Sequence, residues 1–454
     1  MKNLTITLLL LTSISCFSQM DIGTLSEARY GISTAIMGDT LIFAGGDDYD
    51  MADFYTTDGG VIDVQFYGSD GFGSSDVVTT NDIALFYGVT NVNTVIRNFY
   101  KYNRLTNEWS DGKYPADFDD DFVYLDGDLL YSHSRFDRDS TSVINIVTNE
   151  TYKELSGIAV REFGIVQTDD KVYCVGGITQ SNDLSNELNV YDLTTKEWST
   201  HLLERARREP NAIVHNNKLI INGGFNDFSK EVEIVDLTTF ESQTFDLPTS
   251  NRDALLVASG ETLIAAGGFR NSAVVINLNT LEVAEPHVLE EEAINSGLDF
   301  LQGQALGEEI IFGGDRWPNF HIYNTTSQTW TVIPMDAVRR SASMFKYKNR
   351  VYFVGGRDND NNNSDAITVF ENTSSTNEGA LTGLTIYPNP TSDFITIDFD
   401  EGENSTLELY NQQGRLMYNG QFVKNLDISN YTSGLYNLKV QKGNLTVIKK
   451  MIVH

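Results

Sequence analysis

The sequence predicts an all-β protein in which a β-propeller is followed by a small immunoglobulin-like β-sandwich. Three observations support this prediction: apolar strands that recur about every 45 residues, tyrosine–tryptophan pairs within that repeat, and a new strand pattern from residue 384. A repeat of this length with four short strands is typical of a propeller blade. We expect eight blades, with seven as the alternative if one degenerate copy is only an insertion.

Glycine pairs mark the repeat. Six apolar runs end in such a pair, and the first members of the pairs are Gly45, Gly176, Gly223, Gly267, Gly313 and Gly355. From Gly176 onward the spacings are 47, 44, 46 and 42 residues. Two degenerate copies, at residues 83–88 and 129–132, fill the longer gap after Gly45. Glycine at the end of a central strand permits the close backbone approach that a crowded propeller axis requires.

A second signal recurs in three copies, where a tyrosine precedes a tryptophan by seven residues. The pairs are Tyr102 with Trp109, Tyr191 with Trp198, and Tyr323 with Trp330. The polar residues between them predict a strand, a turn and another strand, and the rings would pack between neighbouring blades. A glycine pair followed by Tyr and Trp resembles the kelch repeat, over about 350 residues, although Ser242 and Val283 replace the tryptophan in two copies.

The N-terminus indicates export. Lys2 precedes an apolar stretch at residues 4–14 that is too short to span a bilayer. We therefore expect residues 1–18 to be a signal peptide that is cleaved after Ser18. Cleavage before Cys16, as in a lipoprotein, is the alternative.

Three further segments follow the signal peptide. Residues 19–370 would form the propeller, whose last copy lacks a fourth strand that residues 20–25 could supply. Such a closure would remove an open sheet edge. Residues 371–383 are polar and small and are predicted to be a linker, whereas residues 384–454 show the alternating pattern of a small β-sandwich.

The C-terminal segment resembles the type A sorting domain of the type IX secretion system. The residues that carry the resemblance are Tyr387, Pro388, Asn389, Pro390, Gly414, Arg415, Gly434 and Tyr436. The resemblance implies that the secretion machinery is a partner and that the protein crosses the outer membrane of a Bacteroidetes-type bacterium. It also implies that the domain is then removed, with the passenger attached to the cell surface or released. An ordinary immunoglobulin-like binding module is the alternative.

Composition excludes several classes of function. The net charge of −31 disfavours a nucleic-acid partner, because the phosphates would be repelled. No segment after the signal peptide approaches the length of a transmembrane helix. If cleavage follows Ser18, only Cys174 remains, so no disulfide can form within the chain, and its apolar surroundings predict a buried thiol.

Arginines recur at one position of the repeat. Counting back 15 residues from a glycine pair reaches Arg161, Arg208, Arg252 and Arg340, whereas Arg29, Arg207 and Arg339 lie one residue earlier. All of these arginines fall where the chain enters an innermost strand. We therefore expect the four at the 15-residue offset to converge at one mouth of the channel and to bind a carboxylate, a sulfate or an acidic peptide. Leu298 interrupts the series, which predicts a one-sided arc. The alternative is structural: such arginines could bond to carbonyl groups of the adjacent blade or pair with nearby acids.

The remaining motifs predict no cofactor and no metal site. The six histidines form no ligand pair, which disfavours a copper radical oxidase, and residues 358–365 lack the glycine and glutamate of an EF-hand loop. No nucleophile elbow or phosphate loop is present, so catalysis is uncertain and less expected than binding. We therefore expect a secreted or surface-attached binding module for a glycan or protein. The alternative is a sugar-processing enzyme, because sialic-acid mutarotases are also kelch propellers.

Overall fold

The structure is a computed structural model that describes most of the chain. The described residues are 17–46, 51–56, 60–66, 75–88, 98–113, 118, 122–133, 140–224, 230–248, 254–268, 271–289, 301–315, 317–372, 385–387, 391, 393–398, 405–411, 416–429, 431, 434–442 and 445–453. Their regular structure consists of β-strands, and this part of the chain contains no helix with the length and apolarity needed to cross a membrane. Contacts between Cα atoms divide the chain into two compact units, one comprising Gln19–Glu371 and the other including Asn372–His454.

Within residues 17–372, the described segments form eight four-stranded antiparallel sheets, which we number 1 to 8 in chain order. The first strand, β1 (Phe17–Thr24), belongs to sheet 8. Sheets 1 to 4 consist of β2 (Ser33–Met37), β3 (Thr40–Ala44), β4 (Met51–Thr56), β5 (Gly60–Phe66); β6 (Ser75–Thr79), β7 (Ile83–Gly88), β8 (Asn98–Asn103), β9 (Glu108–Lys113); β10 (Val123–Asp126), β11 (Leu129–His133), β12 (Ser140–Asn145), β13 (Thr151–Leu155); β14 (Gly164–Gln167), β15 (Lys171–Val175), β16 (Ser185–Asp192), β17 (Glu197–Arg207).

The second half continues the same pattern. Sheets 5 to 8 consist of β18 (Asn211–His215), β19 (Lys218–Asn222), β20 (Glu231–Asp236), β21 (Ser242–Asp246); β22 (Leu255–Ser259), β23 (Thr262–Ala266), β24 (Ser272–Asn277), β25 (His287–Val288); β26 (Leu301–Leu306), β27 (Glu309–Gly314), β28 (Asn319–Asn324), β29 (Thr329–Pro334); β30 (Ser343–Tyr347), β31 (Arg350–Val354), β32 (Ala366–Asn372) and β1. The predicted fold class, a β-propeller of repeated four-stranded sheets, is confirmed.

Apolar clusters join each sheet to the next. Buried side chains are shared in order from sheet 1 to sheet 7, and Phe320 of sheet 7 packs on Phe353 and Phe370 of sheet 8. Tyr352 and Phe43 belong to a cluster that joins sheet 8 back to sheet 1. The order of the sheets therefore returns to its start. The number of blades stays a prediction, which an experimental map at side-chain resolution would test.

The N-terminal strand completes sheet 8, as residues 20–25 were expected to do. The strand order in this sheet is β30–β31–β32–β1, so β1 lies beside the last strand of the repeat. Strand β32 extends to Asn372, two residues into the segment predicted to be a linker, and Arg350 Nη2 lies 3.3 Å from Glu371 Oε1 there.

The tyrosine–tryptophan pairs lie directly opposite each other on the third and fourth strands of their sheets. Their ring centres are 5.3, 5.0 and 5.1 Å apart. Each tryptophan also packs against a core cluster that two neighbouring sheets share. The predicted strand–turn–strand and the packing of the rings between sheets are both confirmed.

The C-terminal unit contains two sheets. Its strands are β33 (Thr385–Tyr387), β34 (Phe394–Asp398), β35 (Thr406–Asn411), β36 (Leu416–Gln421), β37 (Asn425–Asp427), β38 (Gly434–Lys442) and β39 (Leu445–Val453). The sheets have the orders β33–β34–β37 and β36–β35–β38–β39. One core cluster joins them, with Ile395 and Ile397 from the first sheet and Leu407, Leu438 and Val440 from the second. The predicted small β-sandwich is confirmed.

Candidate functional site

The glycine pairs position the loops that carry the predicted site. Gly176 and Gly355 have φ angles of 65° and 63°, which glycine adopts at little steric cost. A Cβ atom on Gly176 would lie 2.4 Å from the carbonyl oxygen of Arg207, and one on Gly355 would lie 2.5 Å from that of Arg29. Glycine therefore allows the loop that enters the next sheet to cross this closely.

Backbone hydrogen bonds link these entry loops at one end of the ring. The same two bonds occur between sheets 4 and 5 and between sheets 8 and 1. The N–H groups of Gly177, Glu209, Gly356 and Gly31 donate to the carbonyl oxygens of Arg207, Glu162, Arg29 and Ser341, at 2.7, 2.9, 2.9 and 2.9 Å. We call this end, formed by the loops that enter the innermost strands, the arginine mouth.

The arginines that lie 16 residues before a glycine pair are buried and structural. Arg29, Arg207 and Arg339 are at most 5% exposed. Each donates to a carbonyl group near the end of the second strand: Phe43 at 3.0 Å, Gly223 at 3.1 Å and Phe353 at 3.4 Å, respectively. Each also faces the same register position of the third strand, which is Asp53, Glu233 and Thr368 in the three sheets. These three arginines therefore have the structural role that the sequence analysis gave as the alternative.

Arg161 and Arg208, one position later, lie in a different environment. Their side chains keep 21% and 29% of their surface exposed. Both guanidinium groups pair with the carboxylate of Glu162, whose side chain is only 5% exposed. Glu162 has a left-handed φ of 54°, and the residues after Arg208 and Arg340 repeat this conformation. The structure therefore brings two predicted arginines together around one carboxylate.

A pocket of about 510 Å³ adjoins Arg161. It is lined by Ala159, Val160, Thr179, Gln180, Ser181 and Glu187. Arg161 forms an antiparallel bridge with Ile178, the residue before the lining loop 179–181. The hydroxyl, amide and carboxylate groups of this lining can donate to and accept from the hydroxyl groups of a ligand.

Arg340 belongs to a second cluster that the sequence analysis did not predict. Its backbone forms an antiparallel bridge with Arg357, with N···O distances of 2.9 and 3.0 Å, and its side chain donates to Asn361 Oδ1. The guanidinium of Arg357 lies 3.9 Å from the ring centre of Tyr30. Tyr30 occupies the arginine position of its own copy, 15 residues before Gly45.

One arginine of the predicted arc, Arg252, lies outside the described residues, as does Leu298, which interrupts the series. Among the described residues, Glu162 joins Arg161 to Arg208, whereas Arg340 bonds to Asn361. The convergence of all four arginines on one ligand stays a prediction.

The oxygen-rich loop after Arg357 is closed by hydrogen bonds among its own residues. The Asp358 carboxylate accepts hydrogen bonds from the backbone N–H groups of Asp360 and Asn362 and from the Asn362 side chain, each at 2.8 Å. The Asn362 side chain and these backbone bonds, together with the charge of Arg340, hold the pKa of Asp358 below its usual range. An exposed loop closed by its own bonds is the arrangement that the sequence favoured over a calcium site.

One histidine contact was not predicted. His287 Nε2 and His321 Nδ1 lie 3.1 Å apart, where β25 of sheet 6 meets β28 of sheet 7, although no sequence spacing pairs them. His287 also stacks on Trp330, with ring centres 4.1 Å apart. Burial lowers the pKa of both rings, that of His321 to about 4. The described part of the chain holds no group of three His, Cys, Asp or Glu residues placed to bind a metal ion.

Cys174 is fully buried in β15, and burial raises the pKa of its thiol. A thiol that stays protonated is a poor nucleophile. This agrees with the expected role of Cys174 as a small apolar side chain in the core.

Three of the sorting-motif residues are described. Tyr387 ends β33 and is 48% exposed, Gly434 begins β38, and Tyr436 of β38 is buried beside Tyr431 with ring centres 5.8 Å apart. The others, Pro388, Asn389, Pro390, Gly414 and Arg415, lie outside the described residues.

Comparisons with known proteins identify both parts of the chain. Residues 385–454 match the family of secretion system C-terminal sorting domains, and residues 159–200 match the kelch motif. A solved structure titled "Structure of YjhT" is 12% identical, with a TM-score of 0.37, and the match covers 57% of this chain and 99% of that chain. No curated protein matches.

The kelch match covers one copy of the repeat, and the sorting-domain match covers the C-terminal segment. The kelch match includes the arginine, glycine pair, tyrosine and tryptophan of sheet 4, and the sorting-domain match spans the C-terminal sandwich. The sorting domain implies secretion and attachment to the cell surface. The chain is a kelch-repeat β-propeller protein with a C-terminal type IX secretion sorting domain.

Proposed function

We propose that this protein is a binding module whose arginine mouth holds a glycan or protein ligand through an anionic group. The observation that supports this most is the cluster of Arg161, Arg208 and Glu162, in which two partly exposed guanidinium groups share one carboxylate beside a pocket. The protein as a whole is strongly acidic, with a net charge of −31. On such an acidic surface, an anionic ligand is repelled by most of the protein and attracted to a cluster of arginines.

The chemistry of the cluster suits a carboxylate. A guanidinium presents five N–H donors in a planar fork whose geometry matches the two oxygens of a carboxylate. Each charge-assisted hydrogen bond to a ligand could contribute about 1.5–3 kcal/mol, and less where water keeps access. The pocket lined by Thr179, Gln180 and Ser181 would hold the uncharged part of the ligand.

Binding of acidic sugars tests this proposal. We would titrate the secreted protein with glucuronate and N-acetylneuraminate and compare Arg161→Gln/Arg208→Gln with the parent by calorimetry and NMR. The variant should lose at least tenfold in affinity. Removing Glu162 as well, in Arg161→Gln/Glu162→Gln/Arg208→Gln, should keep the melting temperature near that of the parent, because no buried carboxylate is then left without its cation. The variant Arg208→Ala/Arg252→Ala, which includes a residue outside the described range, should also lose affinity for these sugars.

Arg104→Gln provides the matched control. Arg104 is an exposed arginine paired to Asp82 at 2.9 Å, beside the hairpin at the other end of β6. Its loss should leave affinity unchanged. If the Arg161/Arg208 variant unfolds several degrees earlier and no anion binds the parent, these arginines are structural. Anomeric exchange or bond cleavage in the same NMR spectra would instead establish the sugar-processing alternative.

A further inference from the structure

We propose that the ligand is an extended acidic glycan whose carboxylates bind two opposed cationic clusters of the arginine mouth at the same time. This proposal rests on the function proposed above and names its ligand class. The first cluster is Arg161 with Arg208. The second is Arg340 with Arg357, supported by Tyr30.

The second cluster has the features of a binding site for an anion. Arg340 and Arg357 are partly exposed and are held side by side by two backbone hydrogen bonds. Stacking on Tyr30 fixes the plane of the Arg357 guanidinium, which reduces the entropy that a bound carboxylate would otherwise cost. Asp358, whose negative charge the charge of Arg340 stabilises, accepts three hydrogen bonds from its own loop.

The two clusters lie at the same end of the ring. The equivalent backbone hydrogen bonds that join sheet 4 to sheet 5 and sheet 8 to sheet 1 place both sets of entry loops at the arginine mouth. Among the described sheets, 6 and 7 separate the clusters on one side, and 2 and 3 separate them on the other. Clusters with equal numbers of sheets between them face each other across the channel.

The separation decides the size of the ligand. Packed sheets lie about 10 Å apart, so a ring of eight is roughly 80 Å around and about 25 Å across, and clusters on opposite sides of it are on the order of 20 Å from each other. A single carboxylate cannot reach both, whereas a chain of several acidic units can. The hydroxyl, amide and carboxylate side chains that line the pocket beside Arg161 can each bond a sugar hydroxyl, so the proposal takes the chain to be a sugar polymer rather than a peptide.

A length series of oligogalacturonates, from one to eight units, tests the proposal. Two clusters on one ligand raise the apparent affinity through effective concentration. We therefore expect affinity to rise at least tenfold between the trimer and the octamer. Arg161→Gln/Arg208→Gln and Arg340→Gln/Arg357→Gln should each remove that rise, and combining them should cost the octamer less than the sum of the two losses. Arg104→Gln should keep the full series.

The outcomes separate this proposal from the one on which it rests. If the monomer binds as tightly as the octamer, or if only Arg161→Gln/Arg208→Gln weakens the octamer, the two-cluster proposal is wrong and the anion site stands. If only Arg340→Gln/Arg357→Gln weakens it, the ligand binds at the second cluster alone and both proposals are wrong. If no uronate binds the parent, both are wrong. Tighter binding of an octaglutamate than of the octauronate would overturn the glycan assignment. If Arg340→Gln/Arg357→Gln unfolds, Arg357→Lys, which keeps the charge and loses the planar stack, should lower octamer affinity by a smaller factor, and unchanged affinity would refute the second cluster.

Discussion

The distinction between buried and exposed arginines can be tested on the ion pair of Arg29 and Asp53. Both side chains are 0% exposed, and Arg29 also donates to Phe43 O at 3.0 Å while Asp53 accepts from Ser26 N at 3.2 Å. Arg29→Met would leave a buried carboxylate without its cation, which costs about 3–5 kcal/mol. We expect that loss in the free energy of unfolding, measured by urea titration with tryptophan fluorescence.

The double variant Arg29→Met/Asp53→Leu should recover at least about 2 kcal/mol of the loss, because an apolar pair in place of a buried ion pair leaves no uncompensated charge. The control is Lys348→Met, since Lys348 Nζ lies 2.8 Å from Asp39 in an exposed ion pair between sheets 8 and 1. That variant should change little. Losses that simply add in the double variant, or an equal loss for Lys348→Met, would refute the argument.

Three further predictions concern stability and export. Burial lowers the pKa of His133 to about 4, below the value near 6.5 of an unfolded chain, so the folded state favours the neutral ring. Stability is therefore complete above about pH 6.5 and falls by about 3 kcal/mol as the pH approaches 4, and His133→Gln should flatten that dependence in urea curves at pH 7 and 4.5. Gly176→Ala should lower the unfolding midpoint more than Gly127→Ala, because the φ angles are 65° and 60° but only the Cβ at Gly176 meets the carbonyl oxygen of Arg207; equal losses would contradict the steric reason. Deleting residues 384–454 should leave the propeller in the periplasm, as measured by cell fractionation, and unchanged surface display would contradict the sorting role.

The parts of the site that follow a repeat could be predicted from the sequence. A constant offset from the glycine pair gives Arg161, Arg208 and Arg340 equivalent positions in their sheets, because pairing register is fixed by the buried face of each strand. The same rule could not separate Arg207 from Arg208. Arg207 donates to a carbonyl group in the core, whereas Arg208, one residue later, stays partly exposed.

The partners of these arginines could not be predicted. Glu162 joins Arg161 to Arg208 only because the chain adopts a left-handed conformation there, and nothing in its residue type signals this. Arg357 follows a glycine pair where no other copy has an arginine, and its contact with Tyr30 depends on sheet 8 meeting sheet 1. Both contacts depend on how loops of neighbouring sheets meet, which local sequence patterns do not encode.

The closure of sheet 8 restricts where the sorting domain can be cut away. Strand β32 ends at Asn372 and holds β1 by hydrogen bonds, so both ends of the propeller lie in one sheet. A cut within β32 would weaken the strand that holds β1 and expose a sheet edge, whereas a cut beyond Asn372 leaves every described strand of the propeller whole. Cleavage after Ser18 likewise keeps residues 19–24 of β1. We therefore expect the mature protein, measured by mass spectrometry, to begin at or before residue 20 and to end beyond Asn372. A mature C-terminus between residues 366 and 372 on a folded protein would show that β1 does not need its partner strand.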